Sequence, residues 1–154
     1  MNKKHHIILS LLLIALTVGF IWINSALSGA ESGEISGKVQ LIMRKFFELT
    51  RFPQPIASFL LERVRKVAHV TEYAVIGFEL GFLWIGLRKG FQGFWNAFSS
   101  VLTIAVLDKT IQLMALSRGP QITDVLLDTA SGLTAILFVY FVGLIMFCIS
   151  RRAK

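Results

Sequence analysis

Residues 64–87 read VRKVAHVTEYAVIGFELGFLWIGL. The stretch is apolar enough to cross a bilayer, yet its first third carries Arg65, Lys66, His69 and Glu72, and Glu79 follows further in. Ionisable groups are costly in hydrocarbon and are found there when they face the interior of a helix bundle or a polar cavity. A helix of this kind needs partners that cover its polar side, so the rest of the chain has to supply them.

The composition agrees with a membrane setting. Of 154 residues, 55% are hydrophobic and only 16% are charged, against about a quarter charged in ordinary soluble domains. Four apolar runs stand out, at 7–23, 67–87, 91–107 and 125–149. A hydrocarbon core of about 30 Å takes about 20 helical residues, and about 17 suffice at the lower limit. Backbone groups in lipid must be bonded within the segment, which makes these runs helices. The predicted fold is an all-α polytopic membrane protein. It has about four transmembrane helices and an amphipathic outer-surface helix, within one domain spanning 1–154.

Basic residues mark the cytosolic side of such proteins. With a cytosolic N-terminus, the inside holds Lys3, Lys4, Arg88, Lys89, Arg151, Arg152 and Lys154 with no acidic residue. The nine remaining basic residues are balanced by all nine acidic ones, so the net charge of +7 lies on one face. That distribution is a topology signal and excludes nucleic acid as a partner. It predicts a multi-pass membrane chain with both termini cytosolic. The start, MNKKHH before an apolar run and ALSGA, also has the layout of a secretory signal. We read it as a retained helix, with His5 and His6 solvated beside it. The single cysteine, Cys148, cannot form an internal disulfide.

Between the first two runs, NSALSGAESGEISG reads as a loop, with Ser36 as the cap of the helix after it. In KVQLIMRKFFELTR, apolar Val39, Ile42, Met43, Phe46 and Phe47 recur at helical spacing opposite Arg44, Glu48 and Arg51. This predicts an amphipathic element on the outer bilayer surface, within a region running from 38 to 64 and broken at Pro53 and Pro55.

On this topology the polar residues converge. Arg65, His69, Glu72 and Tyr73, spaced by 4, 3 and 1, share one side of the second span at its outer end. Asp108 and Gln112 share a face at the outer end of the third. Arg118 lies in the connection MALSRGPQITD, and Asp124 and Asp128 open the fourth span. Asp128 lies about 6 Å deeper than Asp124 at 1.5 Å per residue, too deep for an idle surface charge. Glu79 is about 10 Å deeper than Glu72 by the same rise, and no partner for it is evident.

These elements, VRKVAHVTEYAVIGFEL and LDKTIQLMALSRGPQITDVLLDTASGLTA, resemble the VanZ-like family of bacterial membrane proteins. Arg65, Lys66, Ala68, His69, Glu72 and Tyr73 fit its R-K-x-A-H-x-x-E-Y element. Asp108, Gln112, Arg118, Gly119, Asp124, Val125, Asp128 and Gly132 fit the remainder. One departure is Lys109, where the family usually has an acid beside Asp108. The resemblance implies a link to the cell envelope, and its founding member is associated with teicoplanin resistance.

Several functions are open at this point. Arg65, Lys66 and Arg118, with Tyr73, Asp108, Gln112, Asp124 and Asp128 around them, could bind the anionic head of a membrane lipid or lipid-linked cell-wall precursor. His69 and Glu72 could be an acid–base pair acting on such a substrate, although no nucleophile is evident. A divalent metal on His69 and the carboxylates is opposed by Lys109, and no cofactor or metal is expected. Glu79 could serve a small proton-linked transporter. Gly77 and Gly81 form a small-residue pair suited to close helix packing, which admits a homo-oligomer.

Overall fold

The computed structural model describes residues 3–87 and 90–152, apart from the side chain of Lys3. Arg88, Lys89 and Lys154, three of the basic residues in the topology reading, lie outside the described residues. The described residues form six helices and no strand: α1 (Lys3–Ala26), α2 (Gly29–Leu49), α3 (Gln54–Glu62), α4 (Val64–Gly86), α5 (Gly90–Met114) and α6 (Ile122–Arg152). Helices α1, α5 and α6 run past their apolar stretches at both ends, and α4 extends beyond its own only at the start.

Three of the six, α1, α5 and α6, are long and apolar enough to cross a membrane. Helix α4 is about as long as α1 but carries His69, Glu72 and Glu79, which lower its mean hydropathy. It is also the most enclosed helix, packing on α6, α1 and α5. The core gathers around it from Ile21 of α1, Tyr73, Ile76 and Leu80 of α4, Ala97, Val101 and Ala105 of α5 and Ile136 of α6. A helix surrounded by protein does not need a lipid-facing surface all round, so its composition and its place agree.

Small residues set the closest approach. A Cβ on Gly77 would lie 2.8 Å from Gly132 Cα and 2.9 Å from Ala135 Cβ of α6. One on Gly81 would lie 3.1 Å from Val139 Cβ. The small-residue face noted in the sequence is therefore used between α4 and α6 of the same chain.

The four long helices alternate in direction. His6, near the start of α1, packs its ring over Gly86 at the end of α4, and its Nδ1 lies 3.1 Å from Ser10 Oγ. His6 is thus a packed residue rather than a freely solvated one. Midway along, Thr17 Oγ1 donates to Glu79 Oε1 at 2.9 Å. This supplies the partner that the sequence did not reveal, because it lies on another helix 62 residues away.

The segment after α1 differs from the expected loop. Ser28 caps α2 in a reciprocal box: Glu31 N–H donates to Ser28 Oγ at 3.3 Å, and Ser28 N–H donates to Glu31 Oε2 at 2.9 Å. Ser-x-x-Glu is a helix-start signal strong enough to outweigh the surrounding Ser and Gly. Ser36 is consequently no cap but an interior residue, donating back to the Ser32 carbonyl. Pro55 sits in the first turn of α3, where its missing N–H costs no helical bond. Helix α2 buries only Phe47, which stacks on Phe52 at 4.9 Å, while Val39, Ile42 and Phe46 remain exposed.

Ser28→Ala is expected to cost about 1 kcal/mol, as for other lost N-caps, read as a lower unfolding midpoint in detergent. The Ser28 hydrogen bonds hold the Glu31 carboxyl below its usual range. A lowered carboxyl supports the fold above its unfolded pKa, and that support goes as pH falls through the folded value. Hydrogen-exchange protection factors at residues 29–32 should therefore fall on acidification, and the Ser28→Ala variant should show less of this change.

Candidate functional site

The end of α1, the start of α4, the end of α5 and the start of α6 meet at one end of the bundle, because the helices alternate. At their junction lies a buried polar network. Asp108 is fully buried and accepts from Ser25 Oγ, from Gln112 Nε2 at 3.1 Å and from Lys109 Nζ at 2.8 Å. Gln112 Nε2 also donates to Ser25 Oγ at 3.0 Å. The Lys109 ammonium reaches across to α6, 2.6 Å from Asp128 Oδ2. That contact is an ion pair whose angles fall short of a good hydrogen bond. Lys109 is thus held between two buried carboxylates on different helices.

His69 approaches from α4. Its Nδ1 lies 3.7 Å from Glu72 Oε2 and 3.9 Å from Asp128 Oδ2, too far for a hydrogen bond to either. The Tyr73 hydroxyl is buried without a hydrogen-bond partner.

Above this network opens a cavity of about 440 Å³, lined by residues of α1, α2, α4, α5, the 115–121 connection and α6. Of the residues singled out from sequence, Arg65, Lys66, His69, Glu72, Gln112, Arg118, Asp124 and Asp128 line it. Tyr73 and Asp108 lie behind the wall, fully buried. Asp124 has a structural task as well: its Oδ2 accepts from the Gln121 N–H at 3.0 Å, closing the first turn of α6.

The basic residues of the cavity differ from Lys109. Arg65 donates to the Gly29 carbonyl at 3.1 Å and to Ser36 Oγ at 3.4 Å. Its guanidinium runs beside Gly33, where a Cβ would come within 3.3 Å. Arg118 donates to the Asn24 carbonyl at 3.0 Å, and its Nε is buried with no partner. Among the described residues, neither arginine nor Lys66 is paired with a carboxylate. Burial, and then the charge of nearby Arg65, push the Arg118 guanidinium below its usual pKa. Arg118 follows Ser117, whose φ of +59° places a non-glycine residue in the left-handed region. Gly29 lies so close to the Ser117 carbonyl that a side chain there would collide with it.

Several of these residues were missed in the sequence. Asn24 and Ser25 end α1, but their composition reads as loop. Ser32 and Ser36, also in the cavity wall, belong to the part of α2 taken for a loop. The Ser28-x-x-Glu31 box was the signal that could have placed them.

Helices of this length and apolarity, with a buried charge network at one end, define a helical membrane protein with a polar site. The chain belongs to the VanZ/LLP1 family, whose pattern matches residues 7–146. It is also similar to a probable multidrug resistance protein NorM of Chromobacterium violaceum, at 36% identity over 92 residues. That match covers 53% of this chain and 20% of the relative, so the chain spans about a fifth of the relative's length. No solved structure matches it.

Proposed function

We propose that the chain binds the anionic head group of an amphiphile, a membrane lipid or lipid-linked cell-wall precursor, in the cavity beside Arg65, Lys66 and Arg118. The observation that carries this reading is the buried, unpartnered Nε of Arg118 near a second unpaired arginine. Two guanidiniums that repel one another gain most from an anion placed between them, and guanidinium is matched to phosphate and carboxylate. The exposed apolar residues of α2 suit contact with the bilayer surface, beside which a lipid tail would leave the cavity. The basic residues predicted to be cytosolic support a position for the cavity at the outer leaflet of the bacterial cytoplasmic membrane. Holding a cell-wall precursor there would bear on susceptibility to glycopeptides such as teicoplanin.

Arg118→Ala is expected to weaken retention of an anionic lipid about 10-fold, in line with one lost charged hydrogen bond. Native mass spectrometry with added phosphatidylglycerol, against phosphatidylcholine, reads this directly. A variant that keeps its unfolding midpoint and its phosphatidylglycerol would end the proposal.

One observation favours a second reading. The His69 Nδ1 lies unbonded between Glu72 and Asp128 at the cavity wall, an arrangement suited to proton transfer on a lipid-linked substrate. Turnover of phospholipid or polyprenyl substrates by the parent, lost in His69→Gln, would favour it over simple binding.

A further inference from the structure

The charge network has the dimensions of a metal site. One nitrogen of His69 and one oxygen from each of Asp108 and Asp128 lie within 4.8 Å of one another. Ligands about 2.0–2.2 Å from one ion are separated by distances of this order. An imidazole with two carboxylates suits a borderline divalent ion such as Zn²⁺ or Mn²⁺. The three groups come from three helices, α4, α5 and α6, so the arrangement is set by tertiary packing. The surroundings hold a polar atom that the fold leaves unsatisfied, the hydroxyl of fully buried Tyr73, and Asp128, 1% exposed, is met at Oδ2 by an ion pair without a hydrogen bond.

A cation already stands there. The Lys109 ammonium is 2.8 Å from Asp108 Oδ2 and 2.6 Å from Asp128 Oδ2. It contacts both carboxylates that an ion would bridge. We propose that Lys109 is a tethered cation that takes the place of a divalent metal in a cage of His69, Asp108 and Asp128. Removing its charge would turn the cage into a metal site.

The substitution has a consequence for His69. A metal in the cage would take a ring nitrogen of His69 as a ligand. An ammonium group offers protons rather than an empty orbital, and here it contacts the two aspartates while the imidazole Nδ1 is left without a bond. His69 Nδ1 accordingly sits 3.7 and 3.9 Å from its carboxylate neighbours without a bond. Lys109 thus acts as a positioning residue: it supplies the charge that the aspartates require and keeps His69 free to face the cavity. If the three groups were not spaced for an ion, removing the lysine would leave two carboxylates that take up protons rather than a metal.

The test compares three full-length proteins in detergent, freed of affinity tag: the parent, Lys109→Met and Lys109→Met/His69→Ala. Zn²⁺ and Mn²⁺ are titrated by calorimetry, and bound metal is counted by elemental analysis. Lys109→Met is expected to take up about one ion per chain, at least about 100-fold more tightly than the parent, with a rise in its unfolding midpoint. The double variant should lose about 10-fold or more of that affinity. If Lys109→Met is recovered folded only when Zn²⁺ is supplied, and the double variant is not rescued, the same conclusion follows. The proposal is overturned if Lys109→Met neither binds metal nor is rescued by it. It is equally overturned if the parent binds as tightly, or if the loss of His69 makes no difference.

Discussion

Asp108→Ala should destabilise the protein by about 3–5 kcal/mol, the range for breaking a buried ion pair from one side. Asp108 is fully buried and accepts from Ser25, Lys109 and Gln112. Removing it leaves the Lys109 charge on Asp128 alone and strips Gln112 and Ser25 of an acceptor in a place that water reaches poorly. Asp108→Asn keeps the volume and one carbonyl acceptor, so it should lose distinctly less. Unfolding of both variants in mild detergent micelles, followed by denaturant titration, provides the comparison. A loss of under about 1 kcal/mol in Asp108→Ala would mean that the network is solvated and energetically idle.

Gly77→Val should be of comparable severity by an unrelated mechanism. Its side chain would be driven into the Gly132 backbone and Ala135 of α6. Overpacking costs about 1–3 kcal/mol when side chains can move; here the obstacle includes main chain, so the upper end or beyond is expected. The change should also separate α4 from α6 and pull His69 away from Asp128. It should therefore reduce lipid retention together with stability, whereas Arg118→Ala should reduce retention alone. Gly37→Ala is a suitable control, because a Cβ there meets nothing within 4 Å.

Much of the site could be read from the chain because helical spacing is a local property. Arg65, His69 and Glu72, or Asp124 and Asp128, fall on one face whatever packs against them, and alternating helices bring those faces to one end. The partners are not local. That Lys109 would reach Asp128, or that Thr17 would meet Glu79, depends on the azimuth of one helix against another, which no spacing encodes. Lys109 shows this most clearly. In the sequence it breaks an expected pair of neighbouring acids; in the structure Asp128 supplies the second carboxylate from α6, with Lys109 between the two. The Ser- and Gly-rich stretch after α1 misled for a different reason. Its composition favours turns, but the Ser28–Glu31 box starts a helix there; Gly33 lets Arg65 lie close against it, and the Gly29 carbonyl accepts from Arg65.

The adjacency of Asp108 and Lys109 also bears on biosynthesis. A ribosome delivers α5 to the insertion machinery before α6 has been translated, so Asp108 and Lys109 must enter without Asp128. Neighbours in sequence whose side chains already touch at 2.8 Å can arrive as a neutral pair. Asp128 can then join when the last helix is threaded in.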